Sequence, residues 1–114
     1  IQAGTVNGLV VATDKRIAVT PNVPTSVEQG LPDFQAIGWN ALFAPKGTPK
    51  DIVMKLNAAA RQALNDDGTK KRLLELGIIL PTEAEQTPEH LAQHVAKEID
   101  KWVPVIKKAG VTAQ

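Results

Sequence analysis

The sequence contains no cysteine and only one serine, Ser26. The absence of cysteine excludes a disulfide scaffold, a thiolate nucleophile and a zinc site with cysteine ligands. Ser26 has neither the glycine elbow nor the nearby histidine that a serine hydrolase requires. The acidic residues Glu83, Glu85 and Glu89 are expected to be solvated. We therefore predict that the protein is not an enzyme and that it has no catalytic residues.

Neither sign of charge is in excess, because 13 Lys and Arg residues are balanced by 12 Asp and Glu, for a formal net charge of +1. A nucleic-acid-binding surface needs a clustered basic excess, so we exclude nucleic acid as a partner. The composition, 43% hydrophobic, gives no sign of disorder or of a membrane span. The isolated glycines Gly38 and Gly47 form neither a phosphate loop nor a dinucleotide fingerprint, and we predict no cofactor.

Histidine is also scarce, and the two histidines, His90 and His94, lie four residues apart on one face of a predicted helix. That spacing can chelate a metal ion. The zincin motif needs a glutamate directly after its first histidine, and here that position holds Leu91. We expect both imidazoles to lie on a solvated flank of the helix, and we predict no metal site.

The central feature of the chain is a predicted strand over residues 36–44, which are uncharged and rich in bulky side chains. Pro45 cannot donate to a strand ladder and Gly47 permits a positive φ, so the strand must end there. Thr48 is placed to cap the following helix, with Pro49 as its first residue. Strand, turn and capped helix form half of a βαβ unit, in which ligands tend to bind where strands end and helices begin.

The rest of the pattern predicts an α/β fold with short strands and three or four helices. Continuous apolar residues predict a strand over 6–13 that is covered on both faces. Thr25 or Ser26 is expected to cap a short turn that Gly30 closes. The other predicted elements are helices over 51–65 and 69–76, a short strand over 78–81, and a helix that starts at Thr87 and Pro88 and is kinked or ended by Pro104. The first and last of these helices each carry an apolar stripe that is expected to be buried. The stripes are Ile52, Val53, Leu56, Ala60, Ala63 and Leu64 on the first helix and Leu91, Val95, Ile99, Trp102, Val103 and Ile106 on the last.

Five segments together resemble the Bug-type solute receptors of tripartite tricarboxylate transporters. They are Thr20–Thr25, Glu28–Pro32, Trp39–Pro49, Thr87–Glu89 and Lys107–Val111. They occur in family order over almost the whole chain. The resemblance implies the C-terminal part of a two-lobed periplasmic binding protein, with residues 1–35 ending the second lobe. Residues 36–45 would then form the crossover or hinge strand, and residues 46–114 would complete the first lobe.

The resemblance also implies a function: an extracytoplasmic receptor in the periplasm that captures a small carboxylate or related metabolite and delivers it to a membrane permease. Its ligand is expected to be held by backbone N–H groups, hydroxyls and water. Thr13, Trp39 and Asn40 are the candidate ligand-binding residues, as polar or aromatic groups at strand ends or at the hinge. For Trp39, packing in the core or hinge is the alternative role, whereas Trp102 is expected in a helix core.

The sequence starts at Ile1 with neither an initiating methionine nor a signal peptide, so we expect a processed product or, preferably, a fragment. Strands built to be covered on both faces would expose apolar surface in a fragment. We therefore expect it to self-associate. The alternative interpretation is a small α/β protein-interaction module without a small-molecule ligand, which predicts a well-folded monomer.

Overall fold

A computed structural model of the protein describes Ile1 and residues 3–111. Its helices are α1 (Lys50–Asn65), α2 (Asp67–Glu75) and α3 (Pro88–Lys108), and a 3-10 turn (Glu83–Glu85) precedes α3. The chain divides into two compact units. The first unit comprises Ile1–Leu42 and Gln62–Leu80, and the second comprises Phe43–Arg61 and Pro81–Gln114.

Helices α2 and α3 begin at side-chain caps. Helix α1 begins at Lys50, one residue after the predicted Pro49, and the hydroxyl of Thr48, its predicted cap, donates instead to the Pro45 carbonyl at 2.8 Å. The backbone N–H of His90 donates to the Thr87 hydroxyl at 3.1 Å, and Pro88 is the first residue of α3, which confirms the predicted start. Asp66 alone separates α1 from α2, and its carboxylate accepts from the N–H of Thr69 at 2.8 Å. Because Asp66 is the cap, α2 begins at Asp67, two residues earlier than predicted. Such caps satisfy donors that the first turn of a helix leaves unpaired.

Glycines end the helices in the left-handed conformation, as predicted. Gly77 after α2 has φ 76° and Gly110 after α3 has φ 68°. At Gly77 the N–H donates to the Leu74 carbonyl, and the next N–H, of Ile78, donates to the Leu73 carbonyl at 3.0 Å. These are the two hydrogen bonds of a Schellman motif, which satisfies carbonyls that the helix end leaves unpaired.

Pro104 does not end α3, which continues to Lys108. Of the two predicted effects of Pro104, ending the helix is therefore wrong, and a kink stays a prediction. Proline removes one backbone donor, so the carbonyl of Asp100 loses the partner that an ordinary residue would supply. The last turn carries Lys107 and Lys108, whose charges favour the negative end of the helix dipole.

The predicted strands are not confirmed. Within the described residues the structure has no strand, and segments 36–44 and 78–81 are irregular. Segment 6–13 makes a single isolated parallel bridge, between Val11 and Thr25. A strand exists only as part of a hydrogen-bonded ladder, so an apolar segment without a neighbouring strand stays irregular. Within the described residues the helices of the predicted α/β fold are present, and its strands are unconfirmed.

The partly covered faces of the helices differ from the predicted apolar stripes. On α1 the half-buried side carries Val53, Asn57, Ala60, Arg61 and Leu64, whereas Ile52 and Leu56 of the predicted stripe are exposed. Asn57 faces this side because its amide donates to the Gln86 carbonyl at 3.1 Å. Periodicity thus finds the helix, but the covered side depends on a contact that is distant in sequence.

On α3 the half-buried side carries Leu91, His94, Val95, Glu98 and Trp102. The predicted stripe continues through Ile99, Val103 and Ile106, which are exposed. Trp102 is half-buried, and its indole N–H donates to Glu98 at 2.9 Å. In the described part of the chain, no helix combines the length and the apolar character needed to cross a membrane.

The first unit has little apolar core. Among the described residues, one apolar side chain is buried, that of Val23, which is 5% exposed. It lies against Gly8, where an added Cβ would come within 2.7 Å of a Val23 methyl group. The other residues buried to this degree are all hydroxyl-bearing: Thr13, Thr25 and Ser26.

Candidate functional site

Two segments of the first unit, residues 11–16 and 21–30, form a hydrogen-bonded group that we call the turn cluster. The N–H of Val11 donates to the Pro24 carbonyl at 2.9 Å, and the N–H of Ser26 donates to the Val11 carbonyl at 2.8 Å. The N–H of Ala36 donates to the Ala12 carbonyl at 3.0 Å, which attaches the start of the next segment to the cluster.

The hydroxyls of the turn cluster are buried and bonded. Thr25 and Ser26 are 1% and 0% exposed. The hydroxyl of Thr13 donates to the Lys15 carbonyl at 2.6 Å, whereas the bond from the Ser26 hydroxyl to the Thr13 carbonyl is long, at 3.4 Å. A buried hydroxyl without a partner would cost free energy, so these bonds fix the turns around them.

Thr25 and Glu28 cap each other. The N–H of Thr25 donates to the Glu28 carboxylate at 2.8 Å, and the N–H of Glu28 donates to the Thr25 hydroxyl at 3.1 Å. This exchange is a capping box around a single turn. Gly30, with φ 77°, closes that turn, as the sequence predicts.

Arg16 joins the two halves of the turn cluster. Its Nε lies 3.1 and 3.0 Å from the two carboxylate oxygens of Glu28, and its Nη1 donates to the Pro21 carbonyl at 3.0 Å. The Arg16 guanidinium and the N–H of Thr25 lower the pKa of the Glu28 carboxyl. The carboxylate is therefore charged at neutral pH and holds both partners.

The three predicted ligand-binding residues lie in different surroundings. Thr13 is buried inside the turn cluster, with its hydroxyl proton directed to Lys15. Trp39 and Asn40 lie on the irregular segment after Ala36, and both are exposed. The Ala36–Ala12 bond anchors the start of that segment beside the residue that precedes Thr13. Their assignment to ligand binding stays a prediction.

Sequence reasoning missed the importance of some residues in the cluster. The Thr25–Glu28 spacing is a capping-box signature that could have identified the reciprocal cap. The Arg16–Glu28 pair spans twelve residues and has no comparable sequence signal.

The second unit carries the two histidines. Both lie on the half-buried side of α3, not on a solvated flank as predicted. Within the residues that the structure describes, no three His, Cys, Asp or Glu side chains are grouped so that they could hold a metal ion.

Solved structures with a similar fold include MatC and BugD. MatC from Rhodopseudomonas palustris, with bound malate, is 46% identical with a TM-score of 0.73, and the match covers 83% of this chain and 32% of MatC. The periplasmic binding protein BugD is 36% identical with a TM-score of 0.75, over 90% of this chain and 34% of BugD.

Sequence relatives agree with this result. The UPF0065 protein in the TAR-I ttuE-ttuC' intergenic region of Agrobacterium vitis is 40% identical over 96% of this chain and 32% of its own length. BugT of Bordetella pertussis is 32% identical over 96% of this chain and 33% of its own length. The chain thus spans about a third of the length of these relatives.

The family itself is described as the tripartite tricarboxylate transporter family receptor, and the match covers residues 1–111. That description is of a transport receptor, not of an enzyme. The predicted resemblance is confirmed, and the chain belongs to the tripartite tricarboxylate transporter receptor family.

Proposed function

We propose that this chain is part of a periplasmic solute-binding receptor that captures a small carboxylate and delivers it to a membrane permease. The observation that carries the proposal is the 46% identity to MatC, whose structure contains bound malate, at a TM-score of 0.73. The family description, a receptor of a tripartite tricarboxylate transporter, supports the permease as the partner.

In this proposal the chain is one section of a longer, two-lobed receptor. Residues 1–35 belong to the second lobe, residues 36–45 cross over between the lobes, and residues 46–114 complete the first. Support comes from the relatives, of whose length this chain spans about a third. The ligand cleft then needs a wall from the remaining two thirds.

The candidate residues suit recognition by hydrogen bonds rather than by a strong charge, in keeping with a net charge of +1. Asn40 and Trp39 are exposed, and their side chains carry N–H groups of the kind from which a carboxylate oxygen accepts hydrogen bonds. The hydroxyl of Thr13 has a single proton, which now goes to the Lys15 carbonyl. It can donate to a ligand only after that bond breaks, which takes a rotation of the hydroxyl about its C–O bond and leaves the turn in place.

A chimaera tests the proposal directly. The section of MatC that corresponds to this chain is replaced by this chain, and malate binding is measured by calorimetry. We expect the chimaera to bind malate and the 114-residue chain alone not to bind it, because one cleft wall is absent. Binding of malate at micromolar Kd by the chain alone would contradict the proposed division of the cleft.

Substitutions in the chimaera test the candidate residues. We expect Asn40→Ala and Trp39→Ala each to raise the Kd for malate by several-fold to about tenfold, the effect of one lost hydrogen bond. Asn22→Ala, at an exposed asparagine on the turn cluster, is the matched control and should leave the Kd unchanged. A chimaera that folds but binds no malate would contradict the proposed function and favour the interaction-module alternative.

A further inference from the structure

The Glu28 carboxylate accepts hydrogen bonds from one residue nearby in sequence and from one that is distant in sequence. Its Oε2 accepts from the N–H of Thr25, three residues away, and from Nε of Arg16, twelve residues away. The first contact closes a local cap. The second joins the two segments of the turn cluster, and the bond from Arg16 to the Pro21 carbonyl lies beside it.

The turn that carries Thr13 is held at both ends. Before Thr13, the backbone of Val11 is bonded to Pro24 and Ser26. After Thr13, Arg16 is bonded to Pro21 and Glu28. Thr13 itself is bonded to the other segment through its carbonyl, which accepts from the Ser26 hydroxyl. The distance between these two oxygens is 3.4 Å, so this hydrogen bond is weak.

We propose that Arg16 and Glu28 are positioning residues of the ligand cleft, which hold the turn containing Thr13 against the capped turn that starts at Thr25. The inference rests on the proposed function, in which Thr13 lies at the cleft. Neither residue touches the ligand in this proposal. Their role is to fix the backbone on which a ligand-binding residue is carried.

The size of the effect follows from exposure. The side chains of Arg16 and Glu28 are 48% and 44% exposed, so water screens their attraction. Exposed ion pairs of this kind shift an equilibrium by about two- to fivefold. Apolar packing contributes little to holding the two segments together when the ion pair is lost. Among the described residues, Val23 is the apolar side chain that is buried.

Hydrogen exchange of the 114-residue chain tests the link without any ligand. Glu28→Gln keeps an acceptor for the Thr25 N–H but loses the ion pair, and Arg16→Gln loses the pair from the other side. We expect each variant to speed exchange of the Val11 and Ser26 amides about two- to fivefold. The double variant should be no faster than Arg16→Gln, because that variant already removes both the ion pair and the bond from Arg16 to the Pro21 carbonyl.

The pair Arg72–Glu75 provides the matched control, since it is also an exposed ion pair, on α2, with its atoms 3.5 Å apart. Arg72→Gln should leave the exchange of Val11 and Ser26 unchanged. Unchanged exchange in Arg16→Gln and Glu28→Gln, or effects that add in the double variant, would overturn the proposed link.

The affinity of the MatC chimaera for malate supplies the functional readout. We expect Arg16→Gln and Glu28→Gln to raise the Kd about two- to fivefold at an unchanged melting temperature, and Arg72→Gln to have no effect. Malate binding that is the same in all three variants would overturn the positioning role. Failure of the parent chimaera to bind malate would instead overturn the proposed function, and the exchange rates would still decide whether Arg16 and Glu28 hold the turn.

Discussion

Individual polar residues hold the first unit together to an unusual degree. The buried hydroxyls of Thr13 and Thr25 and the carboxylate of Glu28 all have bonded partners within the turn cluster. Each hydrogen bond of the two buried hydroxyls contributes about 0.5–1.5 kcal/mol net, and a buried hydroxyl left without its partner costs more than that. Charge and pH should therefore affect this unit more than they affect a unit with an apolar core.

Two carboxylates make the protein sensitive to acid. Hydrogen bonding from Arg16 lowers the pKa of Glu28, and the N–H of Thr69 lowers the pKa of Asp66. Each carboxylate stabilises the folded state because its pKa is lower there than in the unfolded chain. This stabilisation is complete above the pKa of the unfolded chain, about 4, and is lost as the pH falls through the lower pKa of the folded state.

We expect the amide resonances of Thr25 and Thr69 to shift together with the protonation of Glu28 and Asp66 in an acid titration followed by NMR. Asp66→Asn is the control, because asparagine also caps helices but does not titrate, and it should abolish the shift at Thr69. A Glu28 carboxyl that titrates at its ordinary pKa would contradict the assigned hydrogen bonds.

Gly8 is a further position where a single atom matters. We expect Gly8→Ala to lower the free energy of unfolding by about 1–3 kcal/mol, because its Cβ would lie 2.7 Å from a methyl group of the stiff, buried Val23. Gly38→Ala is the matched control, since nothing lies within 4 Å of its Cβ position, and it should be neutral or slightly stabilising. Urea unfolding of both variants checks the difference, and equal midpoints would refute the close contact.

At the scale of secondary-structure elements, local signals were sufficient for the helices. Thr87 with Pro88, and the glycines Gly77 and Gly110, act within one turn of chain, so sequence alone placed these boundaries nearly correctly. Strands depend on partners that are distant in sequence. The apolar segment 36–44 therefore signalled a strand that the described chain does not form.

The same distinction applies to the candidate site. The cap between Thr25 and Glu28 is readable from the sequence, whereas the Arg16–Glu28 contact and the bonds of Val11 are not, because they join separate segments. The covered side of α1 likewise depends on the contact of Asn57 with Gln86. Periodicity cannot identify such a partner.

The effect of Pro104 on the stability of α3 can be measured by substitution. We expect Pro104→Ala to stabilise α3 by up to about 3 kcal/mol, because alanine restores the N–H that Asp100 can accept and removes a steric clash. Pro88→Ala should change stability by less than about 0.5 kcal/mol, since the first helical residue needs no donor. Circular dichroism during thermal unfolding checks both, and a lower midpoint for Pro104→Ala would show that the proline fits this helix better than alanine.

At the scale of the whole molecule, large apolar side chains are exposed in both units, among them Leu31 and Phe34 in the first and Phe43 and Leu56 in the second. Much of the exposed surface is apolar, including Leu9 and Leu42, which are 81% and 80% exposed.

Exposed apolar surface of this extent predicts that the 114-residue chain associates with itself in solution. Light scattering after size exclusion, over a dilution series, should give a mass that rises with concentration above 12.2 kDa. The double variant Leu9→Lys with Leu42→Lys should lower the association, because it replaces apolar surface with charge. Gln93→Lys, at an exposed polar position on α3, adds charge without removing apolar surface and should not lower it. A chain that stays monomeric at the highest concentration would mean that these side chains tolerate water, and the apolar surface would then not need a partner.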